Sequence, residues 1–426
     1  MGKNSAFTIC THSYIGLAFL LKMSLEKYDP DIDFHIFIVD DIEAVEEKSE
    51  NIHVLRSLKI FSDKQWYELA FKYNVTEFST CLKPFVFQWL FANTNAEKIF
   101  YLDPDLYFFN STSMIYDELN AHLIVLTPHF VTFPNNKIAR LFEDEIRYSG
   151  IFNLGFLGLA RSNKVDSMLL WWGENLVDKC FSDIYTSQFT DQKWMDFMPL
   201  YFELDEIKIL KHIGCNLAPW NYFERRIVVE NDIFFVSERN NFVSERTLLI
   251  FAHFSGFDYK KMLNGEIVQK NSGHTCSFDD VNILLAWYAD VLGQQKEYLN
   301  SCFSIPYMYK SYSNGVPIMD FHRRLFRALL QKDIIDIQNP FDCDAFFYKT
   351  LFRKHLYTKR SPLQIETLKN DTNYVYKQLR KINKLFYFVY KIIGLEKYCN
   401  LLRFLRRFTR YENQTFLYDK DVVSWF

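Results

Sequence analysis

Short apolar segments alternate with helical segments over the first 130 residues, and this alternation limits what the chain can fold into. The apolar segments cover residues 6–12, 34–41, 98–103 and 122–129, and residues 14–28 carry apolar side chains at helical spacing. Strands that alternate with helices form an open, mainly parallel sheet. We therefore predict an α/β fold with a mixed, mainly parallel sheet flanked by helices. Ligands of such sheets bind beyond the carboxyl ends of the strands.

An acidic pair follows the third apolar segment. Asp103 and Asp105 come directly after the run 98–102, with Pro104 between them. Two carboxylates this close repel each other unless a proton or a cation lies between them. Oxygen ligands of this kind suit Mg²⁺ or Mn²⁺. The same tripeptide also favours a turn, because Asp accepts hydrogen bonds from backbone N–H groups and Pro restricts φ. The tripeptide alone leaves both interpretations open.

The rest of the chain indicates how it is organised. Residues 150–260 continue the alternation of strands and helices, whereas the pattern from about 278 onwards is helical. We predict a catalytic domain at 1–270, a helical C-terminal region at 271–376 and a basic amphipathic tail at 377–426. The eight cysteines include no CxxC pair, which argues against a zinc ribbon or a disulfide framework.

The charge of the tail suggests where the protein works. Ten Lys and Arg residues lie between 377 and 410, against one acid, Glu396, so the rest of the chain is acidic and general nucleic-acid binding is not expected. No signal-peptide core precedes the first strand, and no apolar run reaches the roughly 18 residues of a spanning helix. We predict a cytoplasmic protein whose basic tail touches the inner face of the cytoplasmic membrane. The alternative is a tail packed on its own body through its apolar face.

Stretches spread from residue 8 to about residue 260 resemble, in order, the motifs of glycosyltransferases with the GT-A fold. They include "TCLKPF", "YLDPDLYFF", "GIFNLGFLGLA", "QFTDQKW" and "AHFSGF". The resemblance is closer to the retaining family 8 type and its bacterial polysaccharide branch. It implies transfer of a hexose from a nucleotide diphosphate sugar, with UDP as the nucleotide, to a glycan or lipid-linked glycan acceptor in the synthesis of a surface polysaccharide.

The resemblance also assigns the metal and phosphate contacts. Asp103, Asp105 and His253 would hold Mn²⁺ or Mg²⁺, which would bridge the two phosphates of the donor. Lys83 would face the phosphates or the donor sugar; without the resemblance it reads as an exposed helix lysine. The Lys-Pro-Trp that usually follows His-x-x-Gly is missing here, and Tyr259, Lys260 and Lys261 stand in its place. Which of the two lysines would reach the diphosphate stays open at this point, and Lys260 is our candidate.

The remaining implied residues surround the sugar and the base. Asn153 and Asp191 would bind hydroxyls of the donor sugar, Gly155 would leave room for its ring, and Gln192 would lie near the reacting face. A strand bulge at Gly155 and a helix cap at Asp191 are the plain structural alternatives. The nucleobase and ribose are assigned to Thr8, Cys10, Tyr14 and Asp40. Trp220 and Asn221 are the acceptor-side residues, unless Trp220 is simply a buried corner.

Two other functional classes fit part of the pattern. A catalytically inactive carbohydrate-binding protein with the same fold would keep these motifs without turnover. A phosphatase of the haloacid-dehalogenase type also places Asp-x-Asp after a buried strand, with the first Asp as nucleophile. Small residues usually follow the second Asp in that class, whereas Leu106, Tyr107 and Phe108 follow it here.

Overall fold

A computed structural model describes residues 3–41, 51–132, 137–239, 245–270, 278–358 and 372–422. The contacts divide the chain into two compact units: Met1–Ile60 with Thr76–Tyr307, and Phe61–Val75 with Met308–Phe426. The domain boundaries at residues 270 and 376 stay predictions. All seven described cysteines are free.

The strands belong to the first unit, and most of them form one central sheet. In chain order they are β1 (Lys3–Cys10), β2 (Asp33–Ile38), β3 (Ile52–Val54), β4 (Ala96–Leu102), β5 (Leu106–Phe108), β6 (Ile124–Pro128), β7 (Phe152–Ala160), β8 (Ser182–Asp183), β9 (Gln188–Phe189), β10 (Ile207–Ile209), β11 (Arg225–Glu230), β12 (Ile233–Glu238), β13 (Thr247–Leu248) and β14 (Phe251–His253).

The central sheet has seven strands in the order β10-β6-β7-β4-β1-β2-β3. Neighbouring strands run parallel except around β7, which is antiparallel to both β4 and β6. The predicted fold class is thus confirmed: the sheet is mixed and mainly parallel. The inserted β7 is buried along its whole length, which explains why its sequence reads as a continuous apolar run.

Helices flank the sheet and form the C-terminal region. In chain order they are α1 (Ile15–Glu26), α2 (Asp63–Lys72), α3 (Val75–Cys81), α4 (Lys83–Asn93), α5 (Ser113–Glu118), α6 (Lys137–Ser149), α7 (Asn163–Lys179), α8 (Met198–Tyr201), α9 (Tyr259–Met262), α10 (Asp279–Gly293), α11 (Lys296–Ser304), α12 (Asp320–Leu330), α13 (Phe346–Arg353), α14 (Thr372–Phe408) and α15 (Thr415–Tyr418).

Two strand pairings fix the position of the turn at Asp103–Asp105. The β4–β7 pairing continues past the end of β4, so that the Asp103 amide donates to the Gly155 carbonyl at 2.8 Å. Immediately after the turn, β5 pairs with β14 in antiparallel register, with His253 opposite Leu106. The Phe254 amide then donates to the Asp105 carbonyl at 3.0 Å. Backbone hydrogen bonds on both sides therefore hold the turn between β7 and β14.

The second unit is helical, in line with the predicted helical C-terminal region. Its interior contains Arg323, whose guanidinium donates to four backbone carbonyls, those of Ala70, Phe71, Tyr73 and Tyr309, at 2.7–3.1 Å. Residues 412–418 also belong to this packed region, because Glu412 is buried beside Arg327 and Thr415 is fully buried. The end of the predicted tail is therefore part of a folded core.

The basic helix α14 is exposed along its length. Its regular path is interrupted at Gly394, which has a positive φ of 74°. Every residue from 373 to 410 is half-buried or exposed, including large apolar side chains such as Phe388, Ile392 and Leu395. Within the described part of the chain, no helix combines the length and the apolar character that crossing a bilayer requires.

Candidate functional site

Two carboxylates and an imidazole converge at the carboxyl end of β4. His253 Nε2 lies 3.0 Å from Asp105 Oδ1 and 3.7 Å from Asp103 Oδ2. One ligand atom from each of the three side chains lies within 4.8 Å of the other two. The Leu106 amide donates to the Asp103 carbonyl at 3.1 Å, so Asp-Pro-Asp is also a turn. The tripeptide is therefore a turn, and this turn brings the two carboxylates to the same side as His253, where the three side chains could hold a metal ion.

The electrostatics of this triad suit a cation. Burial raises the pKa of Asp103, although Lys83 and His253 act in the opposite direction. Burial also acts to lower the pKa of His253, but the neighbouring carboxylates, Asp105 first, outweigh it and raise that pKa. Oxygen and imidazole ligands together match the preferences of Mn²⁺ and, through the carboxylates, of Mg²⁺. The three side chains therefore form a candidate site for a divalent metal.

Lys83 is buried beside the triad. It begins α4 and is only 1% exposed, so the alternative of an exposed helix lysine is wrong. Its Nζ lies 2.8 Å from Asp191 Oδ2 and 4.0 Å from Asp103 Oδ1, and donates to the Leu154 carbonyl at 2.8 Å. Three carboxylates against one ammonium leave this corner with two excess negative charges when His253 is neutral. A divalent cation would neutralise them.

Gly155 leaves the space that the His253 ring occupies. A Cβ atom on Gly155 would lie 2.3 Å from His253 Cε1 and 2.7 Å from His253 Nδ1, distances that real Cβ atoms essentially never show. Asn153, two residues earlier on the same face of β7, places Oδ1 at 3.1 Å from His253 Nδ1. The glycine that was assigned to the donor sugar ring thus makes room first for the imidazole.

A cavity of about 780 Å³ opens beside the triad. Eight of the predicted residues line it: Lys83, Asp103, Asn153, Gly155, Asp191, Gln192, Trp220 and His253. Asp105 belongs to the triad but is not part of the lining. The volume falls within the range of ordinary small-molecule sites.

The predicted nucleobase corner lies at the end of β1, outside this lining. Asp40 Oδ1 accepts from the His12 amide at 2.9 Å, and the His12 ring Nδ1 lies 3.0 Å from the same oxygen. Asp40 Oδ2 and Thr8 Oγ1 are buried and have no hydrogen-bond partner among the described residues. Buried polar atoms are usually paired, so two such atoms close to the end of one strand indicate a place for a polar ligand or water.

The other two residues of that corner differ in exposure. Cys10 is buried, and burial raises the pKa of its thiol. Tyr14 is 38% exposed, and burial of its hydroxyl, followed by the charges of Asp105 and Asp258, raises its pKa to about 12. The Tyr14 side chain therefore remains partly accessible to solvent.

The structure brings Trp220 to the cavity but not Asn221. The Trp220 ring meets the rings of His253 and His129 edge to face at 5.2 and 5.4 Å. Asn221 is fully buried; its side chain accepts from the Ala218 amide and donates to the His129 and Asn216 carbonyls. It therefore orders the loop that carries Trp220 and does not reach the cavity surface.

His129 and Lys270 are among the cavity residues that the sequence reasoning missed. His129 follows β6, and the rule that singled out Asp103, a polar residue at the carboxyl end of a buried strand, would also have found it. Lys270 lines the cavity and pairs with Asp258 at 2.9 Å, and no local signal distinguishes it from other lysines. Lys260, which was assigned to the diphosphate, lies exposed on α9 and is not part of the lining.

Comparisons with known proteins give distant likenesses. No protein-family model matches the chain. It is 25% identical over 245 residues to YfnD of Bacillus subtilis (strain 168), covering 56% of this chain and 73% of that protein. It is 24% identical over 268 residues to YfnF of the same strain, covering 59% and 80%. Both relatives are described as uncharacterised.

Among solved structures, the chain is similar to the galactosyltransferase LgtC in complex with donor and acceptor sugar analogues. The TM-score is 0.41 at 17% identity, over 71% of this chain and 97% of LgtC. The candidate site therefore has to be judged on its own geometry.

Replacing Gly155 tests the packing of the metal ligand. We expect Gly155→Ala to displace the His253 ring, because the added methyl would lie only 2.3 Å from Cε1, and to cost about 1–3 kcal/mol of stability as an overpacked site. Mn²⁺ affinity, measured by titration calorimetry, should fall at least tenfold. Gly293→Ala in α10 is the control, since nothing lies within 4 Å of its added Cβ. Unchanged Mn²⁺ affinity in Gly155→Ala would contradict the close packing.

The buried His129 predicts a pH dependence of stability. Burial lowers the pKa of His129 to about 4, whereas an unfolded histidine titrates near 6.5. Between these values the unfolded state binds the proton and the folded state does not, so the free energy of unfolding falls as the pH falls. This residue alone should remove about 2 kcal/mol between pH 7 and pH 5.

Urea unfolding of His129→Gln at several pH values measures this contribution. The variant should show a flatter pH dependence than the wild type. His355→Asn, which replaces an exposed histidine at a positive φ that Asn tolerates, is the control for the loss of a histidine. Parallel curves for wild type and His129→Gln would show that His129 takes up its proton equally in both states.

Proposed function

We propose that this protein is a metal-dependent glycosyltransferase that moves a hexose from a nucleotide diphosphate sugar, UDP-hexose in the first instance, to a glycan acceptor. The observation that carries the proposal is the convergence of Asp103, Asp105 and His253 beside a buried lysine, on the edge of a cavity at the carboxyl ends of the strands. Residues from three separate parts of the chain meet there.

A bound divalent ion would offset the negative charge that develops on the departing diphosphate. Asp103, Asp105 and His253 would hold it. Lys83 keeps the Asp191 carboxylate in place and adds positive potential close to the same point. Trp220 offers a flat apolar face on the cavity wall, where a sugar ring can pack. Asp191 and Asn153, which line the cavity, are assigned to the hydroxyls of the donor sugar.

The reaction proposed here proceeds with retention. The bond between the anomeric carbon and the diphosphate oxygen breaks, a bond from the anomeric carbon to the acceptor oxygen forms on the same face, and the acceptor proton passes to the departing diphosphate. This course needs no strong protein base. It agrees with a site whose three aspartates are already paired with Lys83 or grouped with His253.

The nucleotide is proposed to occupy the corner at the end of β1. The unpaired buried oxygens of Thr8 and Asp40 are suited to polar atoms of a base or a ribose, and the exposed ring of Tyr14 is suited to stacking. The exposed Lys260 and the cavity-lining Lys270 are the two candidates for the outer side of the diphosphate. Bacterial surface polysaccharide synthesis remains the process proposed for this activity.

Replacing Asp105 tests the metal role. In Asp105→Asn we expect the release of UDP from UDP-hexoses in the presence of Mn²⁺ to fall at least about a hundredfold, which corresponds to about 2.7 kcal/mol. The Mn²⁺-dependent thermal stabilisation by the donor should also disappear. Asp117→Asn removes an equivalent charge from an exposed position and serves as the control. Full Mn²⁺-dependent turnover in Asp105→Asn would exclude this mechanism, and donor binding without any turnover in the wild type would favour an inactive sugar-binding protein.

We further propose that α14 binds the surface of an anionic membrane. Residues 377–410 contain ten Lys and Arg residues and a single acid, Glu396. Exposed aromatic rings and aliphatic side chains are interleaved with the basic residues. Apolar side chains that a packed helix would bury are exposed here, which favours membrane contact over packing on the body. Each basic side chain near an anionic surface contributes about 1 kcal/mol. A lipid-linked acceptor would be presented at the same surface.

Vesicle sedimentation of the full chain tests this contact. Neutralising four lysines to Gln should reduce binding to phosphatidylglycerol vesicles at least tenfold, and the wild type should bind neutral phosphatidylcholine vesicles weakly; these lysines are Lys381, Lys384, Lys391 and Lys397. The control neutralises four exposed lysines outside α14, namely Lys296, Lys310, Lys332 and Lys354. Equal loss of binding in both variants would mean that only net charge matters and that α14 is not the contact. Full-length variants are used because residues 412–418 are part of a folded core.

A further inference from the structure

Three side chains form a hydrogen-bonded chain behind His253, on the side away from Asp105. His253 Nδ1 lies 3.1 Å from Asn153 Oδ1, and Asn153 Nδ2 donates to Gln192 Oε1 at 3.3 Å. Gln192 Nε2 lies 3.5 Å from His129 Nε2, and His129 Nδ1 lies 3.0 Å from the Ile151 carbonyl. All four side chains are buried. The chain connects the ends of β6, β7 and β14 to the short 3-10 helix Gln192–Phe197.

Backbone groups decide which way each amide points. The Gly155 amide faces Asn153 at 3.3 Å, and the Leu154 amide faces Gln192 at 3.0 Å. A backbone N–H can only donate, so the atoms that it meets are the side-chain oxygens. The Ser149 carbonyl lies 3.0 Å from the other end of the Gln192 amide, and because it can only accept, that end is the nitrogen.

The orientation of Asn153 decides the tautomer of His253. An amide oxygen has no proton to give, so His253 Nδ1 must carry the hydrogen of their contact. In the neutral ring, Nε2 then has the free lone pair, and Nε2 is the atom that faces Asp105 and Asp103. The same reasoning gives His129 its hydrogen on Nδ1, facing the Ile151 carbonyl, and leaves its Nε2 to accept from Gln192.

Packing fixes the plane of the His253 ring as well as its tautomer. The ring fills the space above Gly155, where a Cβ atom would come within 2.3 Å. Trp220 meets it edge to face at 5.2 Å with an interplanar angle of 89°. Rotation that would exchange the two nitrogens therefore meets both a packed ring and the loss of the bond to Asn153.

We propose that Asn153, held in place by Gln192, is a positioning residue that locks His253 in the Nδ1–H tautomer and so presents Nε2 to the divalent cation. The inference rests on the proposed metal site and concerns only residues of this chain. Groups that hydrogen-bond to a metal-binding histidine commonly alter metal affinity by 10–100-fold. Gln192 acts through Asn153, because both its oxygen and its nitrogen are already engaged within the protein.

The tautomer can be read directly in the metal-free protein. Long-range ¹H–¹⁵N correlation spectra of the ¹⁵N-histidine-labelled protein, recorded at a pH where the ring is neutral, should show His253 protonated at Nδ1. Addition of diamagnetic Mg²⁺ should leave that nitrogen protonated. A neutral ring that carries its proton on Nε2 overturns the proposal whether or not the protein transfers sugars.

Mn²⁺ affinity provides the second measurement, independent of activity. We expect Asn153→Leu, which removes the acceptor at similar size, to bind Mn²⁺ ten- to a hundredfold more weakly in titrations followed by the electron paramagnetic resonance signal of free Mn²⁺. Asn153→Asp restores an oxygen that accepts from Nδ1–H and should bind within about threefold of the wild type. Asn110→Ala, which removes a single amide-to-carbonyl bond to Leu249 elsewhere in the unit, should leave the affinity unchanged.

The results separate this proposal from the proposed function. Wild-type affinity in Asn153→Leu, or equal losses in Asn153→Leu and Asn153→Asp, would overturn it. If Asn153→Leu does not fold, Gln192→Met interrupts the chain one step further away, and an affinity several-fold below that of the wild type is the expected result, whereas unchanged affinity overturns the proposal. If the wild-type protein binds no Mn²⁺, the proposed metal site is excluded. The tautomer measurement still decides whether Asn153 locks His253.

Discussion

The site depends on opposite charges that are buried together. Lys83 is held out of water by the core, and its ammonium is stabilised there by Asp191 and the Leu154 carbonyl at hydrogen-bonding distance and by the Tyr101 ring beneath it. An unpaired charge in such surroundings would be costly, and removing one partner of a buried pair is strongly destabilising. The lysine therefore orders the Asp191 loop and β7 at the same time as it creates positive potential near Asp103.

The excess of carboxylates over this one ammonium would favour a bound cation, as the proposed function requires. Asp103 and Asp105 face an imidazole and not a second lysine, and burial raises the pKa of Asp103. The arrangement is electrostatically incomplete without a further positive charge. The hydrogen-bonded chain from His129 to Asn153 also orients the site. It decides which nitrogen of His253 carries the proton and which one faces the carboxylates.

Several residues that the resemblance assigned to ligands have other contacts in the folded chain. Gly155 provides space for an imidazole before it provides space for a sugar, Asn221 orders a loop, and Lys260 is exposed away from the cavity lining. In each case the sequence identified a notable residue but not the group that it contacts, because that group comes from a distant segment. The Asn221 amide, for example, ties the loop that carries Trp220 to the His129 carbonyl.

The sequence by itself determined the alternation of strands and helices, the place of Asp103 and Asp105 at the end of a buried strand, and the basic character of α14. These are local properties: burial periodicity, turn chemistry and charge are all set by neighbouring residues. Only the tertiary structure decided that β7 runs antiparallel between β4 and β6, that β14 pairs with β5 to bring His253 to the acids, and that Lys83 is buried. These depend on strand order and register between distant segments, which are set by how the whole core packs and not by any local pattern.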